Sequence, residues 1–437
     1  MKDTKQTSVS ATLAAATCSL LGSVPTAPVQ AQEEPNWDFN TALLYYGEDN
    51  DRVQDLSLNI LGKRYFVDDR SLTLGLTVDT LTGATPNGAI RQGVPQTFTR
   101  PSGSSAYTIP ANELPLDDTF KDTRVALSAG WEQPLGRLWK TSVGFSGSFE
   151  YDYTHLGLNG GLSRDFNNRN TTLSAGLAIA RDEWDPVGGT PIPFSPMLDV
   201  GDTGNKTGTE TKDVVDAVLG VTQVISRNLL VQVNYSFSNS SGYLTDPYKV
   251  LSLVDGTTGD TLTRVPAPGA EGPSHEFRFE RRPDDRTKHS IFTQAKYYMG
   301  GKVLDASYRY MTDDWDIDSH TLDLRLRWPV GERSYLEPHL RFYTQSEADF
   351  YTISLVDGVQ LPSFASADYR LGNFDAITAG LKYGWKTRGG SEMSVRAELY
   401  QQRGSIPGNL LIGNQVGRET YPDLDAIIVQ FSYRFGW

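Results

Sequence analysis

The feature that most constrains the fold is an alternation of apolar and polar residues over long segments. In segment 427–437 every odd-numbered residue is aliphatic or aromatic, whereas Gln430, Ser432 and Arg434 lie between them. Successive side chains of a β-strand point to opposite faces. The segment is therefore predicted to be a strand with one apolar and one polar face.

The same alternation recurs at 72–78, 229–237, 322–328 and 393–399. Alternating segments of ~10 residues separated by turns are typical of transmembrane β-barrels, and a sheet in lipid has to close so that its backbone groups pair. A soluble β-sandwich also alternates, but its strands are usually ~5–6 residues long. We therefore predict an all-β fold, a transmembrane antiparallel β-barrel in the outer membrane of the cell.

The connections between the predicted strands alternate in length. Short turns are predicted at 67–70, 133–137, 166–170, 227–228, 299–301, 329–333 and 387–391. Longer polar loops alternate with them at roughly 48–53, 84–118, 151–154, 185–211, 242–286, 312–318, 347–370 and 403–422. Short turns face the periplasm and long loops the outside in such barrels. The pattern predicts about 16 strands, two more or fewer, because 250–265 could add a hairpin.

The N-terminal segment has the three-part pattern of a secretory signal peptide. Lys2 and Lys5 precede a weakly apolar stretch that ends near Val24, and Ala31 offers a cleavage position. We predict a cleaved signal peptide at 1–31 and a barrel at 32–437, without a separate N-terminal domain. The alternative is lipid attachment at Cys18, the single cysteine of the chain. Cleavage after residue 31 leaves no cysteine for disulfides or thiolate sites.

Charge and the C-terminal strand indicate the partners. The formal net charge of -13 does not give the basic surface of a nucleic-acid binder, so no nucleic acid is expected. The terminal aromatic strand resembles the C-terminal strands of bacterial outer-membrane barrels, which predicts recognition by the barrel-assembly machinery. The expected surroundings are outer-membrane lipid and lipopolysaccharide. A cluster of arginines between Arg278 and Arg286 either contacts lipopolysaccharide phosphates or only solvates its loop.

If the apolar face meets lipid, the polar face lines the interior. In the second half of the chain that face is charged; its predicted lining residues are Arg309, Asp323, Arg325, Arg327, Glu337, His339, Arg341, Lys382, Arg396, Glu398 and Arg434. In the first half it is small and neutral. One interpretation is a basic conduit that concentrates anions, because fixed charge on a low-dielectric wall focuses the field. The other is a ladder of ion pairs that neutralise one another.

Signals for metal binding and catalysis are weak. Asp313, Asp314, Asp316 and Asp318 could offer oxygen ligands to Ca²⁺, but their spacing does not match an EF-hand loop. No zinc motif or Gly-x-Ser-x-Gly sequence occurs. No cofactor is predicted and the chain is not expected to be an enzyme, although a Ser–His pair assembled across strands stays open as an alternative.

Three stretches carry a resemblance to a known family: 79–89 with the sequence Asp-Thr-Leu-Thr-Gly-Ala-Thr-Pro-Asn-Gly-Ala, 282–289, and 308–310 with the acidic segment that follows. They resemble a family of bacterial envelope proteins of unknown function that look like outer-membrane barrels. The resemblance implies genes often encoded near a flavin transferase, a thioredoxin-like protein and a small lipoprotein, and hence a redox or electron-transfer system. It carries over no catalytic residue.

Two functions follow as expectations. The first is a passive channel with a partly basic lumen. The alternative is an occluded barrel that serves as a scaffold or sheath for a periplasmic redox protein in an electron-transfer envelope system.

Overall fold

The computed structural model describes residues 37–50, 52–418 and 421–437, and the side chains of 118–120 are not described. The predicted signal peptide at 1–31 lies outside these residues. Within them, no helix is long and apolar enough to cross a membrane.

Sixteen antiparallel strands form one closed barrel, which confirms the predicted fold class. They are β1 Trp37–Glu48, β2 Gln54–Tyr65, β3 Ser71–Pro86, β4 Leu116–Leu135, β5 Trp139–Phe149, β6 Tyr153–Phe166, β7 Thr171–Trp184, β8 Glu210–Ser226, β9 Leu229–Gly242, β10 Asp285–Met299, β11 Lys302–Asp313, β12 Asp318–Val330, β13 Ser334–Gln345, β14 Asn373–Lys386, β15 Glu392–Ser405 and β16 Leu424–Gly436. Each strand pairs with its neighbour in the chain. The ring closes between β1 and β16, where Phe39 lies opposite Phe435.

The two faces of the barrel wall differ as the alternation predicts. On β7 the side chains of Leu177 and Ile179 are 64% and 56% exposed, whereas Ala178 between them is 3% exposed. On β16 Ile427, Val429 and Phe431 are exposed in the same way. The outer surface of the barrel is therefore apolar, and small or polar side chains point inward.

The long loops all lie at one end of the barrel, together with the short β1–β2, β5–β6 and β11–β12 connections. The sequence predicts longer loops at those three positions, 48–53, 151–154 and 312–318, but the strands leave only three to five residues between them. Five long loops, 87–115, 185–209, 243–284, 346–372 and 406–423, follow from the strand bounds, and together they form what we call the loop dome. Their positions agree with the predicted loops to within a few residues.

The loop dome contains short strands of its own. Val250–Val254 pairs with Phe277–Phe279 and, in parallel, with Ser354–Val356. The segment 250–265 therefore adds no hairpin to the barrel wall; its first residues join two loops above the wall.

Apolar side chains of the dome pack as cores at the loop end of the barrel. In one cluster the Phe98 and Phe277 rings lie 4.4 Å apart and pack with Met197 and Val250. In another, Ile90 and Val254 pack with Trp315 from the short β11–β12 connection. These contacts join loops that leave the wall at distant strands, so the dome is one packed unit.

Candidate functional site

The eleven residues predicted to line the lumen all lie on β11 to β16. Their side chains alternate along those strands with exposed apolar ones such as Leu322, Phe342 and Leu399. They project from the polar face of the wall, where the structure brings several of them into contact.

His339 lies at the centre of the charged wall. Its Nε2 is 2.9 Å from Oδ2 of Asp323 on β12, and its Nδ1 is 2.8 Å from Oε1 of Glu398 on β15. An ionised carboxylate only accepts hydrogen bonds. Both ring nitrogens therefore carry hydrogen in this arrangement, and the imidazolium has no lone pair left to act as a base.

A glycine lets His339 reach a strand that is not its neighbour. β14 lies between β13 and β15, and Gly380 is the β14 residue in register with both His339 and Glu398. A Cβ at Gly380 would lie 2.4 Å from Cγ of Glu398. The missing side chain thus opens the gap through which histidine and carboxylate meet.

Most cations of this wall are paired with carboxylates. Arg325 contacts Asp323 at 3.2 Å and Arg327 contacts Glu392 at 3.4 Å. Arg396 lies 3.7 Å from Glu398, and Arg434 bonds Asp38 at 2.5 Å. These contacts support the interpretation of a neutralised ladder for this part of the wall.

Three cations of the predicted set lack such a partner. An ion pair requires a nitrogen–oxygen distance of at most 4.0 Å. Among the described residues, no carboxylate oxygen comes that close to the side-chain nitrogens of Arg309, Arg341 or Lys382. The Arg309 guanidinium lies over the Phe292 ring at 5.6 Å, and Lys382 lies 5.7 Å from the Tyr335 ring. Glu337 is in register with Lys382 but makes no ion pair with it. Arg309, Arg341 and Lys382 thus carry positive charge outside the ion pairs of the wall, and Glu337 carries negative charge outside them.

A cavity of about 530 Å³ lies between the charged wall and the loop dome. Arg341, His339 and Glu398 line it from the barrel, and Tyr369 and Arg370 line it from loop 346–372. Further rings in its wall are Tyr46, Tyr343, Phe374 and Tyr400. The cavity therefore combines an unpaired guanidinium with several aromatic faces.

The tyrosine rings of this cavity are held in place through their hydroxyl groups. Tyr46 donates to Glu48 at 2.9 Å, Tyr343 to Gln345 at 2.6 Å and Tyr400 to Gln402 at 2.7 Å. Because each hydroxyl group is already bonded, what these tyrosines offer a solute is the flat face of the ring.

A buried ion-pair network in the dome lies next to this cavity. Arg282 bonds Glu280 at 2.6 Å and Asp368 at 2.7 Å, and Arg370 bonds Asp246 at 2.9 Å. Burial opposes ionisation of Asp368, but the guanidinium groups of Arg370 and Arg282 outweigh it and hold the pKa of that carboxyl well below its usual range. The network ties loop 243–284 to loop 346–372.

The first half of the wall encloses a second cavity, of about 270 Å³. Its lining includes the small residues Ala126, Ser128 and Ser146, and the guanidinium of Arg124, which is paired with Asp79. Loop 87–115 bonds another loop, since Val250 N donates to Asn87 O at 2.9 Å.

The acidic segment at 313–318 does not bring its carboxylates together. Asp313 bonds Arg286, and its Oδ1 accepts from the backbone of Trp315 and Ile317. Asp314 accepts from Thr287 N, Asp318 accepts from the Tyr310 hydroxyl, and Asp316 adopts a positive φ in the turn. In the described part of the chain, no group of three or more His, Cys, Asp or Glu could hold a metal ion.

The sequence profile of one protein family matches residues 10–435. The chain belongs to the family of proteins of unknown function DUF3570. This agrees with the resemblance seen in the sequence, although the gene neighbourhood that the resemblance implies has no counterpart in the comparisons. A comparison with curated proteins finds no significant match.

Solved structures similar to the chain are outer-membrane proteins. The ferric enterobactin receptor PfeA of Pseudomonas aeruginosa aligns over 88% of this chain with 10% identity and a TM-score of 0.43, and the chain spans about half (56%) of that receptor. A bacterial polysaccharide outer-membrane secretin aligns over 92% of this chain and 100% of its own, with 9% identity and a TM-score of 0.43.

A third similar structure is OccK5 (OpdH) of Pseudomonas aeruginosa, which aligns over 94% of this chain and 100% of its own. The identity is 10% and the TM-score 0.39. Such likenesses concern the fold and say nothing about the solute or partner of this chain.

The short β5–β6 connection, at the dome end of the barrel, contains the buried carboxyl group of Glu150, and the environment of this group can be tested. Burial and the neighbouring Asp122 carboxylate raise the pKa of Glu150 from 4.5 to about 9. A raised carboxyl pKa means that the folded state loses stability as pH rises from the unfolded value towards the folded one. Glu150→Gln is therefore expected to raise the unfolding temperature by several degrees at pH 8 and to change it little at pH 4.

The measurement is the temperature at which the folded barrel loses its heat-modifiable mobility in detergent gels. Glu113→Gln, at an exposed position of loop 87–115, controls for the loss of a surface carboxylate. Equal effects of Glu150→Gln at both pH values would contradict the interpretation.

Proposed function

We propose that the protein is an outer-membrane channel of restricted access, which passes small organic anions through the lumen beneath the loop dome. The observation that carries the proposal is the cavity of about 530 Å³, in which Arg341 has no carboxylate partner among the described residues. Lipid and lipopolysaccharide around the apolar belt, and assembly through β16, are parts of the same proposal.

Charge supports a preference for anions. An arginine that is paired with a carboxylate adds little to the net field in the lumen. The unpaired charges of Arg309 and Arg341 attract anions into the lumen, because its low-dielectric wall focuses their field. A guanidinium binds a carboxylate through two parallel hydrogen bonds. The faces of the surrounding rings favour a solute with a flat apolar part. A small cyclic or aromatic carboxylate combines both properties.

Loop packing supports restricted access. Backbone hydrogen bonds join loops from separate parts of the ring: Arg281 and Ala365 exchange two of them, at 2.9 and 3.0 Å, and Asn414 N donates to Thr258 O at 2.8 Å. Breaking a buried ion pair leaves an uncompensated charge, which costs ~3–5 kcal/mol. The dome is thus expected to stay closed in the resting protein and to limit solute size.

Removing one residue of the buried network tests restricted access. Arg282→Ala leaves Glu280 and Asp368 buried without their shared cation, so the two loops are expected to separate. Single-channel recordings in a planar bilayer should show small or rare openings for the wild type and larger, longer ones for the variant.

The matched control is Arg281→Ala, since Arg281 is the exposed neighbour in the same loop. It should behave as the wild type. A wild type that already conducts as widely as Arg282→Ala would show that the dome does not limit access.

Block of the current by a small organic anion tests the solute class. With 4-hydroxybenzoate added to open Arg282→Ala channels, Arg341→Gln should weaken the block ~10-fold or more, because a hydrogen bond to a charged group contributes ~1.5–3 kcal/mol. Arg137→Gln, in an exposed turn at the other end of the barrel, should leave the block unchanged. Equal block of both variants would remove Arg341 from the proposed site.

The second candidate function is the occluded barrel that holds a periplasmic redox protein. The interlocked dome favours it, because a barrel without a pore needs no open mouth. It predicts silent bilayers even for Arg282→Ala and co-purification of a haem or flavin protein from native membranes under mild detergent. Conductance without any such partner would reject it.

A further inference from the structure

In the second cavity a serine, a histidine and an aspartate contact one another in the sequence of contacts found in a hydrolase triad. Oγ of Ser146 on β5 lies 3.2 Å from Nε2 of His155 on β6. Nδ1 of the same ring lies 2.7 Å from Oδ1 of Asp182 on β7. All three residues line the cavity of about 270 Å³.

The contacts of Asp182 orient the histidine ring. Its Oδ2 is bonded by the Lys212 ammonium at 2.8 Å, which keeps the carboxylate ionised and turns Oδ1 towards the ring. An ionised carboxylate accepts only, so Nδ1 carries a hydrogen, and in the neutral ring Nε2 then presents its lone pair to Ser146. His339 differs, because both of its nitrogens face carboxylates.

The backbone provides the space that this contact needs. Gly157 is two residues beyond His155 on β6, and a Cβ there would lie 2.6 Å from Oγ of Ser146 and 3.1 Å from Nε2 of His155. The absence of a side chain at Gly157 lets serine and histidine meet diagonally across the strand pair.

A free hydroxyl group lies beside the triad. Ser148 is in register with His155 and is 7% exposed, and its Oγ has no hydrogen-bond partner among the described residues. Buried polar groups are nearly always bonded. Ser148 is two residues from Ser146 and so on the same face of β5; a hydroxyl donor without a partner on that face is the kind of group that stabilises the oxyanion of acyl transfer.

We propose that Ser146, His155 and Asp182 form an acyl-transfer site that hydrolyses small esters inside the barrel. Oγ of Ser146 attacks the ester carbonyl carbon while its proton moves to Nε2 of His155. The bond from carbon to the alkoxy oxygen then breaks, and the alcohol leaves with that proton. Water, deprotonated by His155, attacks the acyl-serine and releases the carboxylic acid and the free serine.

The size of the cavity sets the substrate class. Sites for drug-sized ligands occupy ~300–1,000 Å³, and this cavity is smaller, so a short-chain ester is the substrate that fits. The site uses neither Arg341 nor the cavity beneath the dome, so it does not depend on the proposed transport. It departs from the sequence-based expectation that the chain is not an enzyme.

Labelling with diisopropyl fluorophosphate tests the nucleophile on the folded, full-length barrel in detergent. The Oγ–phosphorus bond forms, fluoride leaves and the proton passes to His155, so one adduct at Ser146 is expected by mass spectrometry. His155→Ala should slow labelling ~10²-fold or more, the usual contribution of a general base. His155→Ala should also lose hydrolysis of p-nitrophenyl acetate.

Two further variants separate catalysis from structure. Gly157→Ala keeps all three side chains but fills the space between serine and histidine, so labelling should fall while the heat-modifiable fold remains. Ser142→Ala, on the same strand and outside the cavity lining, should label as the wild type. The proposal is overturned if folded wild type gives no Ser146 adduct, or if the labelling rate is the same with and without His155.

Discussion

Closure of the sheet is the constraint on which the rest of the structure depends. Because β1 pairs with β16 over Asp38–Glu48, none of the sixteen described wall strands is an edge strand, and a closed barrel is one of the two folds that lipid tolerates. Closure also divides the side chains into two sets. The apolar set faces outward, and the inward polar and charged side chains meet one another or the lumen. The ion pairs, the imidazolium of His339 and the triad at Ser146 are contacts within this inward set.

The dome is held together by apolar contacts and buried charges between its loops. Its loops carry apolar side chains that the barrel wall cannot cover, so the loops bury them against one another, as Phe98 does against Phe277. The buried charges Glu280, Arg282 and Asp368 then fix which loops meet. The lumen is polar and carries positive charges without ion pairs, and the packed loop dome covers it. These two features are the physical basis for proposing restricted passage of anions.

Much of this architecture could be predicted from the sequence because it repeats with a period of two. The alternation gives the strands, the turns give their number, and the parity of each position places Asp323, His339 and Glu398 on one face. The contacts could not be predicted in the same way. That His339 reaches Glu398 depends on the exact register and on Gly380 between them, and the register of hairpins follows from turn geometry that the alternation does not encode. The signal for the triad was present, since Ser146, His155 and Asp182 share the inward parity, but only the register brings them together. The loops of the dome have no apolar–polar alternation, so their packing against one another could not be predicted from it.

The most direct test of the central claim, a polar lumen covered by a packed dome, is thiol accessibility from outside intact cells. Cleavage at the predicted position leaves no cysteine, so single cysteines can be placed at Val265, 89% exposed on the dome, and at Thr378, 8% exposed in the lumen cavity. The account predicts that Val265→Cys reacts with both a small charged methanethiosulfonate and a maleimide on a bulky polymer, whereas Thr378→Cys reacts with the small reagent alone. Reaction of Thr378→Cys with the bulky reagent as fast as Val265→Cys would contradict it.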